Sequence, residues 1–415
     1  MKDNRLKLLM CSDDPDTILS YGLLSDMLIN QWHKQYKIDY CSLQYQVGKP
    51  IKMRNEKGEV RYTKWPAHNR GERNPTFLPA VFEGTHPDIF WTNFDIQHYI
   101  QMHQYVPKQP MWLGWCPWDN HDPAQAQVAQ KAFAPVDIRV AISKFGYDFL
   151  NQHGVRMDDW IYNIVDTDIF KPLDIKNDQM FQDFKANNSW YKEGIKILLF
   201  VGRPNWRKRI THMLKIIEEL DKRGHKDFMF FFHSNMEDPA AIGSNIPELI
   251  DACGINRKVI RSRFHWDIGI DKKELNVVYN LASLYFAPHG GEGFGMPIAE
   301  AMAAGTPFIA SDYCTTPEFA GENQERGFKG PIKIPTEPDG RPMLDKGVVR
   351  PYPLVPQWAD MIESVWNDTK RLKKMGENGH KWVNKNCSAR VVGDKWKKII
   401  NQFDVDVAEV GGYKK

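Results

Sequence analysis

Short apolar runs recur along the chain, most of them separated by segments long enough to hold a helix. "RLKLLMCSDD" ends in polar turn residues and is followed by "SYGLLSDMLINQW", in which Leu24, Met27 and Leu28 recur at helical spacing. This pattern predicts a strand, a loop and a helix. Similar apolar runs occur at "DIFWT", "DIRVAIS", "GIKILLFVG", "DFMFFFHS", "ASLYFAPH" and "TPFIASD". Strands alternating with helices predict parallel sheets of the α/β class. "ITHMLKIIEELDKRG" sets Met213, Leu214, Ile216, Ile217 and Leu220 on one helical face, with Gly224 as its stop. Near the end, "QWADMIESVWNDTKRLKKMGENGHKWV" and "SARVVGDKWKKIINQF" read as two amphipathic helices.

A polar stretch of weak periodicity, "LDIKNDQMFQDFKANNSWYKE", interrupts this alternation and predicts an interdomain connection at residues 173–192. Residues 1–172 then form one domain and residues 193–385 a second, with residues 386–415 as a closing helix. The length of 415 residues, 42% of them hydrophobic, exceeds what one core fills and fits two domains. No apolar run approaches the ~20 residues of a spanning helix, and "MKDNRLKLLMCSDD" has too short an apolar core for a signal peptide. The expectation is a soluble, cytoplasmic protein. Six cysteines sit singly, without Cys-x-x-Cys or zinc-ligand spacing, and a formal charge of +3 does not announce a nucleic-acid binder.

Candidate chemistry gathers in "HGGEGFGMPIAEAMAAG", residues 289–305. It follows the apolar run "ASLYFAPH" and reads as strand, glycine loop and helix, with Pro297 in the first turn and Gly305 past the end. Such a loop brings backbone N–H groups and the positive end of a helix dipole to one spot, which favours a phosphate or diphosphate. Gly293 and Gly295 allow close approach to the main chain. Glu292 lies in the loop and Glu300 about one turn inside the helix. Two carboxylates flanking a phosphate cradle suit a ligand with a sugar on either side of a diphosphate, as in a nucleotide sugar. The plainer alternative makes Glu292 a helix cap and Glu300 a solvated helix residue. The alanines at 299, 301, 303 and 304 argue against it, because a thin helix packs close under a sheet, where an idle Glu300 is costly.

The string "GGEGFGMPIAEAMAAGTPFIASD" resembles the E-x7-E signature of family 4 retaining glycosyltransferases of the GT-B fold. "FVGRPNWRKR" resembles that family's Gly-Arg-x4-Lys element, and "VAISKFGYDFLNQHGV" with "VDTDIFKP" resembles the segment closing the first domain. "ELNVVYNLASLYFAP" resembles the lead into the signature. The likeness covers most of residues 136 to 320 in the family's order. It implies two Rossmann-like domains facing across a cleft, with a C-terminal helix returning to the first.

The resemblance implies roles residue by residue. Arg203 and Lys208 would bind the donor's phosphates and offset charge on the leaving nucleoside diphosphate; the alternative is a solvated basic turn with Arg207 and Arg209. Glu300 would hold the ribose hydroxyls and Glu292 the transferred sugar, with the backbone at Gly293, Phe294 and Gly295 beside sugar and phosphate. Gly22 matches a first-domain glycine that admits the donor phosphates. "WCPWDNHDP" resembles a loop carrying an active-site Asp or His, where Asp119 is favoured over His121 as a sugar contact; the alternative is an Asx-turn. Glu318 in "TTPEF" would orient the phosphate loop or serve as a helix-start carboxylate.

No metal and no cofactor is expected beyond a UDP- or GDP-sugar as co-substrate, and Asp166-Thr-Asp168 falls in the interdomain segment of the family pattern. The usual Gly-Val-Asp string there reads Ile164-Val165-Asp166. The implied function is retaining transfer of a sugar to a hydroxyl acceptor, a glycan or glycoconjugate. Two alternatives stand beside it: transfer to a modified base in DNA, and a non-catalytic nucleotide-sugar-binding protein. Residues 49–73 hold eight Lys/Arg against three Asp/Glu, with Tyr62 and Trp65 interleaved. They read as a solvated loop or hairpin, or as a surface for an anionic acceptor. A dehydrogenase is excluded because "CSDDPDTILSYG" lacks Gly-x-Gly-x-x-Gly after the first strand.

Overall fold

The apolar runs fold as the strands of two separate sheets. The computed structural model describes residues 4–17, 20–42, 48–67, 75–236, 245–262 and 270–409. Residue contacts divide the chain into two compact units. One comprises Met1–Trp118, Asp122–Ile164 and Ala389–Lys415; the other comprises Asp119–His121 and Val165–Ser388.

The first unit carries β1 (Lys7–Ser12), β2 (Lys37–Ser42), β3 (Ile51–Arg54), β4 (Val60–Trp65), β5 (Ile89–Asn93), β6 (Met111–Cys116), β7 (Ile138–Ala141) and β8 (Asp159–Trp160) in the order β3-β4-β2-β1-β5-β6-β7-β8. All neighbours pair in parallel except the edge hairpin β3–β4. Two of its helices start where a side chain takes up an otherwise unpaired N–H group. Ser143 accepts from the amide of Gly146 at 3.1 Å, and Asp122 accepts from Ala124 at 2.9 Å, just before a proline that has no N–H to satisfy. The last helix, Ala389–Glu409, packs on the Ser20–Trp32 helix of this unit and buries Trp396 edge-on against Trp91 and Trp115, with ring centroids 5.8 and 5.6 Å apart.

The second unit carries β9 (Lys196–Val201), β10 (Phe228–His233), β11 (Val259–Arg261), β12 (Leu284–Ala287), β13 (Phe308–Ser311) and β14 (Phe328–Gly330), all parallel, in the order β11-β10-β9-β12-β13-β14. "KILLFV" and "FMFFFH" are nearly continuous apolar runs because both faces of these strands are covered. The Ile210–Lys222 helix buries its whole apolar face, from Ile210 through Leu220, and Gly224 follows in the left-handed region at φ +91°.

The units divide between Ile164 and Val165, and again between Ser388 and Ala389, so the boundaries differ from those expected at 172 and 385. The Val165 amide donates to Cys387 O at 2.8 Å, and the amides of Lys171 and Leu173 donate to Asn276 and Asn280 at 3.1 and 2.8 Å. These bonds stitch the segment after 164 into the second unit. The polar stretch expected as a connection holds a helix, Gln179–Ala186, whose buried Phe181 anchors it there.

Candidate active site

The signature occupies the end of β12, a glycine loop and the Met296–Ala303 helix in the second unit. Gly295 starts the helix from the left-handed region at φ +86°, and Pro297 fills its first turn. Gly291 lies at φ +142°, and a Cβ there would fall 2.3 Å from both the Asp119 carbonyl and Arg350 Nη1. The loop is therefore glycine-built in order to let protein groups come close. Inside it, the buried His289 ring accepts the Gly291 amide at Nδ1 (3.1 Å) and so donates from Nε2 to Thr316 Oγ1 (3.2 Å). Burial keeps this imidazole neutral, its pKa lowered to about 3. Thr315 Oγ1 donates to the carbonyls of Glu292 and Phe294 at 3.3 and 3.0 Å. Phe294 itself is buried edge-on against Phe319.

Glu292 is buried and meets two cations from the turn after β9. Arg207 Nη1 donates to Glu292 Oε2 and to Gly291 O, both at 2.7 Å, while Lys208 Nζ pairs with Oε1. Arg207 and Lys208 share the short 3-10 turn Trp206–Lys208, and Arg209 leaves it in the left-handed region at φ +55°. The Arg207 carbonyl accepts the Gly290 amide at 2.6 Å, which ties this turn to the glycine loop. Burial works against the Glu292 charge, but Arg207 and Lys208 outweigh it and hold the carboxyl well below its ordinary value. Burial likewise draws Lys208 down to about 8, so both partners are charged at neutral pH.

Glu300 is half-buried one turn into the helix, where Tyr279 Oη donates to its Oε2 at 2.7 Å. Burial pushes its pKa up to about 7, against the pull of Tyr279 and Lys272. The buried Tyr285 phenol of β12 donates to Val201 O at 3.1 Å; burial raises its pKa, and the charges of Glu292 and Glu300 add to that rise.

The other expected residues distribute unequally. Arg203 is exposed on the turn that carries Lys208. Asp119 belongs to the second unit, and its carboxylate is held by Arg350 Nη2 at 3.1 Å to each oxygen. Arg350 also bridges the carbonyls of Asp119 and Gly290 at 2.9 and 3.0 Å and lies over the Trp206 ring. His121 packs its ring on Tyr313 and donates its amide to the phenol oxygen at 3.0 Å. Gly22 lies in the first unit, where a Cβ would fall 2.1 Å from the Asp14 carbonyl. The glycine lets the β1–helix loop of its own unit pass close to the helix backbone. Glu318 is half-buried in the first turn of the next helix, and beside it the Thr315 hydroxyl holds two carbonyls of the loop.

The sequence assigns no role to Tyr279, His289, Thr315 and Arg350, and gives Arg207 only as part of a solvated basic turn. A signal existed for Arg207, since a buried carboxylate needs compensation and the "RKR" string supplies adjacent cations on one turn. Among the described residues, no group of three His, Cys, Asp or Glu is placed to hold a metal, and Asp166 faces Lys272 at 3.5 Å. In the basic segment, Lys64 is buried between Asp14 and Asp16, and Arg61 pairs with Asp26. Residues 68–73 of that segment lie outside the described residues.

Residues 181–382, which include the cation turn and both carboxylates, match the family model of Glycosyl transferases group 1. The likeness to that family is therefore confined to this segment, just under half of the chain. Over 140 residues the chain is 28% identical to an uncharacterized glycosyltransferase of Methanocaldococcus jannaschii; the alignment covers 31% of this chain and 33% of that relative's own length. Among solved structures, sucrose-phosphate synthase of Thermosynechococcus elongatus superposes over 97% of this chain and 100% of its own, with TM-score 0.74 and 16% identity. Anabaena HepE in complex with UDP-glucose does so over 96% of this chain and 100% of its own, with TM-score 0.67 and 13% identity. The trehalose 6-phosphate synthase of Burkholderia multivorans covers 97% and 99%, with TM-score 0.68 and 10% identity. At such identities the likeness concerns the fold, which is GT-B, and the segment matched by the family model lies within the second unit. No helix among the described residues is long and apolar enough to cross a membrane.

Proposed function

We propose that the chain is a retaining glycosyltransferase that moves a sugar from a UDP- or GDP-sugar to a hydroxyl of a glycan or glycoconjugate. One observation carries the reading. A carboxylate, Glu292, is seated on a glycine loop at a helix start against Arg207 and Lys208, with a second carboxylate, Glu300, one turn further in. Cations at a helix N-terminus suit a diphosphate, and the two carboxylates suit the hydroxyls of the sugars on its two ends. Lys208, with Arg203 and Arg207 on the same turn, offsets the charge that grows on the leaving nucleoside diphosphate. Glu292 then orients the transferred sugar and Glu300 the ribose. The UDP-glucose held by Anabaena HepE supports a uridine donor.

In the displacement proposed, the anomeric carbon loses its bond to the phosphate oxygen and gains one to the acceptor oxygen on the same face. The acceptor's proton passes to the departing phosphate oxygen. Asp119, held by Arg350, is a sugar contact, and no protein nucleophile is required. The test is donor turnover followed by proton NMR, with UDP-glucose and GDP-mannose offered to wild type, Lys208→Ala and Glu292→Gln. The wild type should release or transfer the sugar with its anomeric configuration kept. Each variant should lose about 100- to 1000-fold in kcat. Inverted product, a glycosylated Glu292 or Asp119 peptide, or undiminished turnover in both variants would overturn the reading.

A further inference from the structure

Tyr279 is the feature that the proposed mechanism leaves unused. Its ring is fully buried, edge-on to Phe170 at 5.8 Å and against Tyr285 at 6.2 Å, and its carbonyl is held by Thr306 Oγ1 at 2.7 Å. A phenol fixed on three sides has one polar atom to place, and it places the hydroxyl 2.7 Å from Glu300 Oε2. We infer that Tyr279 is a positioning residue that holds Glu300 as an oriented carboxylate, and that it thereby keeps the donor bound down to lower pH than the buried carboxylate alone would allow. The inference rests on the donor reading of Glu300 given above.

The chemistry follows from what each form of Glu300 offers. As a carboxylate accepting Tyr279 on Oε2, it keeps Oε1 and further lone pairs for vicinal ribose hydroxyls. Once protonated, it loses part of that capacity. Its partly buried setting favours the proton, while the phenol's hydrogen bond favours the charge. The other groups around it do not decide the balance. Lys272, on the same helix as Tyr279, favours the carboxylate, and Asp166 opposes it. Tyr285 of β12 is a neutral phenol, and His380 of the Thr369–Cys387 helix spends its Nδ1 on the Ala303 carbonyl.

The experiment is isothermal titration of the full chain with UDP-glucose and GDP-mannose from pH 6 to 8.5, on wild type and Tyr279→Phe. The diphosphate diester of these donors does not titrate in that range. Wild-type affinity should rise by up to about tenfold from pH 6 to pH 8, the limit reached when the ionised form alone binds. Losing one hydrogen bond to a charged group moves the midpoint up by about one pH unit, so Tyr279→Phe should bind about fivefold more weakly at pH 7. It should come within about twofold of wild type at pH 8.5. Wild-type binding at pH 6.5 should release roughly one proton per site. An equal loss at every pH would mean a structural role only, and no change would mean that Tyr279 does not act on Glu300; either overturns this inference and leaves the donor reading standing. A wild type that binds neither donor at any pH overturns both. A matched melting temperature for the variant excludes unfolding as the cause.

Discussion

Glu292 and Glu300 lie eight positions apart in the sequence, and their surroundings treat them in opposite ways. Glu292 keeps its charge through two cations, whereas burial leaves Glu300 with a proton affinity near neutrality. Environments that separate two carboxylates in this way assign them separate tasks. The cost of Glu300 is measurable in stability. Its folded-state pKa of about 7 lies above its ordinary 4.5, so the folded chain gains from proton binding at low pH. That gain is fully present below 4.5 and is lost as pH rises through 7. Glu300→Gln, which needs no proton, should therefore be more stable than wild type at pH 8.5 by up to about 3 kcal/mol. The advantage should shrink to under about 1 kcal/mol at pH 5 and vanish by about pH 4. Thermal melts of both proteins across that range check it, and a difference that does not vary with pH would show that the charge is not buried at a cost.

At the level of elements, the strand, glycine loop and helix were legible because glycine, proline and small residues mark such turns directly. The small residues also carry a packing demand that spacing suggested only in outline. In the Thr369–Cys387 helix, a Cβ at Gly376 would fall 1.9 Å from the Gly305 carbonyl that closes the signature helix; at Gly379 the nearest atom is a Met302 side-chain carbon at 3.4 Å. Gly376→Ala must displace backbone and should destabilise the second unit by about 2 kcal/mol or more, despite alanine's better helix propensity. Gly379→Ala should be neutral or stabilising by up to about 1 kcal/mol. Chemical denaturation of the two variants separates these outcomes, and equal effects would contradict the packing. Other elements were not legible. Residues 173–192 read as a linker since one buried phenylalanine makes a faint period. Arg350 was invisible because its partner, Asp119, lies 231 positions away and only the fold brings them together. Tyr279 read as one more apolar position of a helix, and nothing in its spacing to Glu300 announces a hydrogen bond.

Across the whole molecule, the alternation of apolar runs and helices was enough to indicate two α/β units, because parallel strands buried on both faces leave a strong trace. The returning last helix was implied by resemblance and is held by Trp396 among the tryptophans of the first unit. The acceptor left no comparable trace. Two of the basic segment's cations, Lys64 and Arg61, are tied to acids of their own unit, which takes their charge out of the cationic surface the segment offers. The central claim concerns the donor, and the direct measurement is calorimetric titration of UDP, GDP and ADP into wild type and Glu300→Ala at pH 8. UDP or GDP should bind the wild type, and the variant should lose about 10- to 100-fold in affinity, the worth of hydrogen bonds to a charged group. No binding of any nucleotide to the wild type, or equal binding to both proteins, would contradict it.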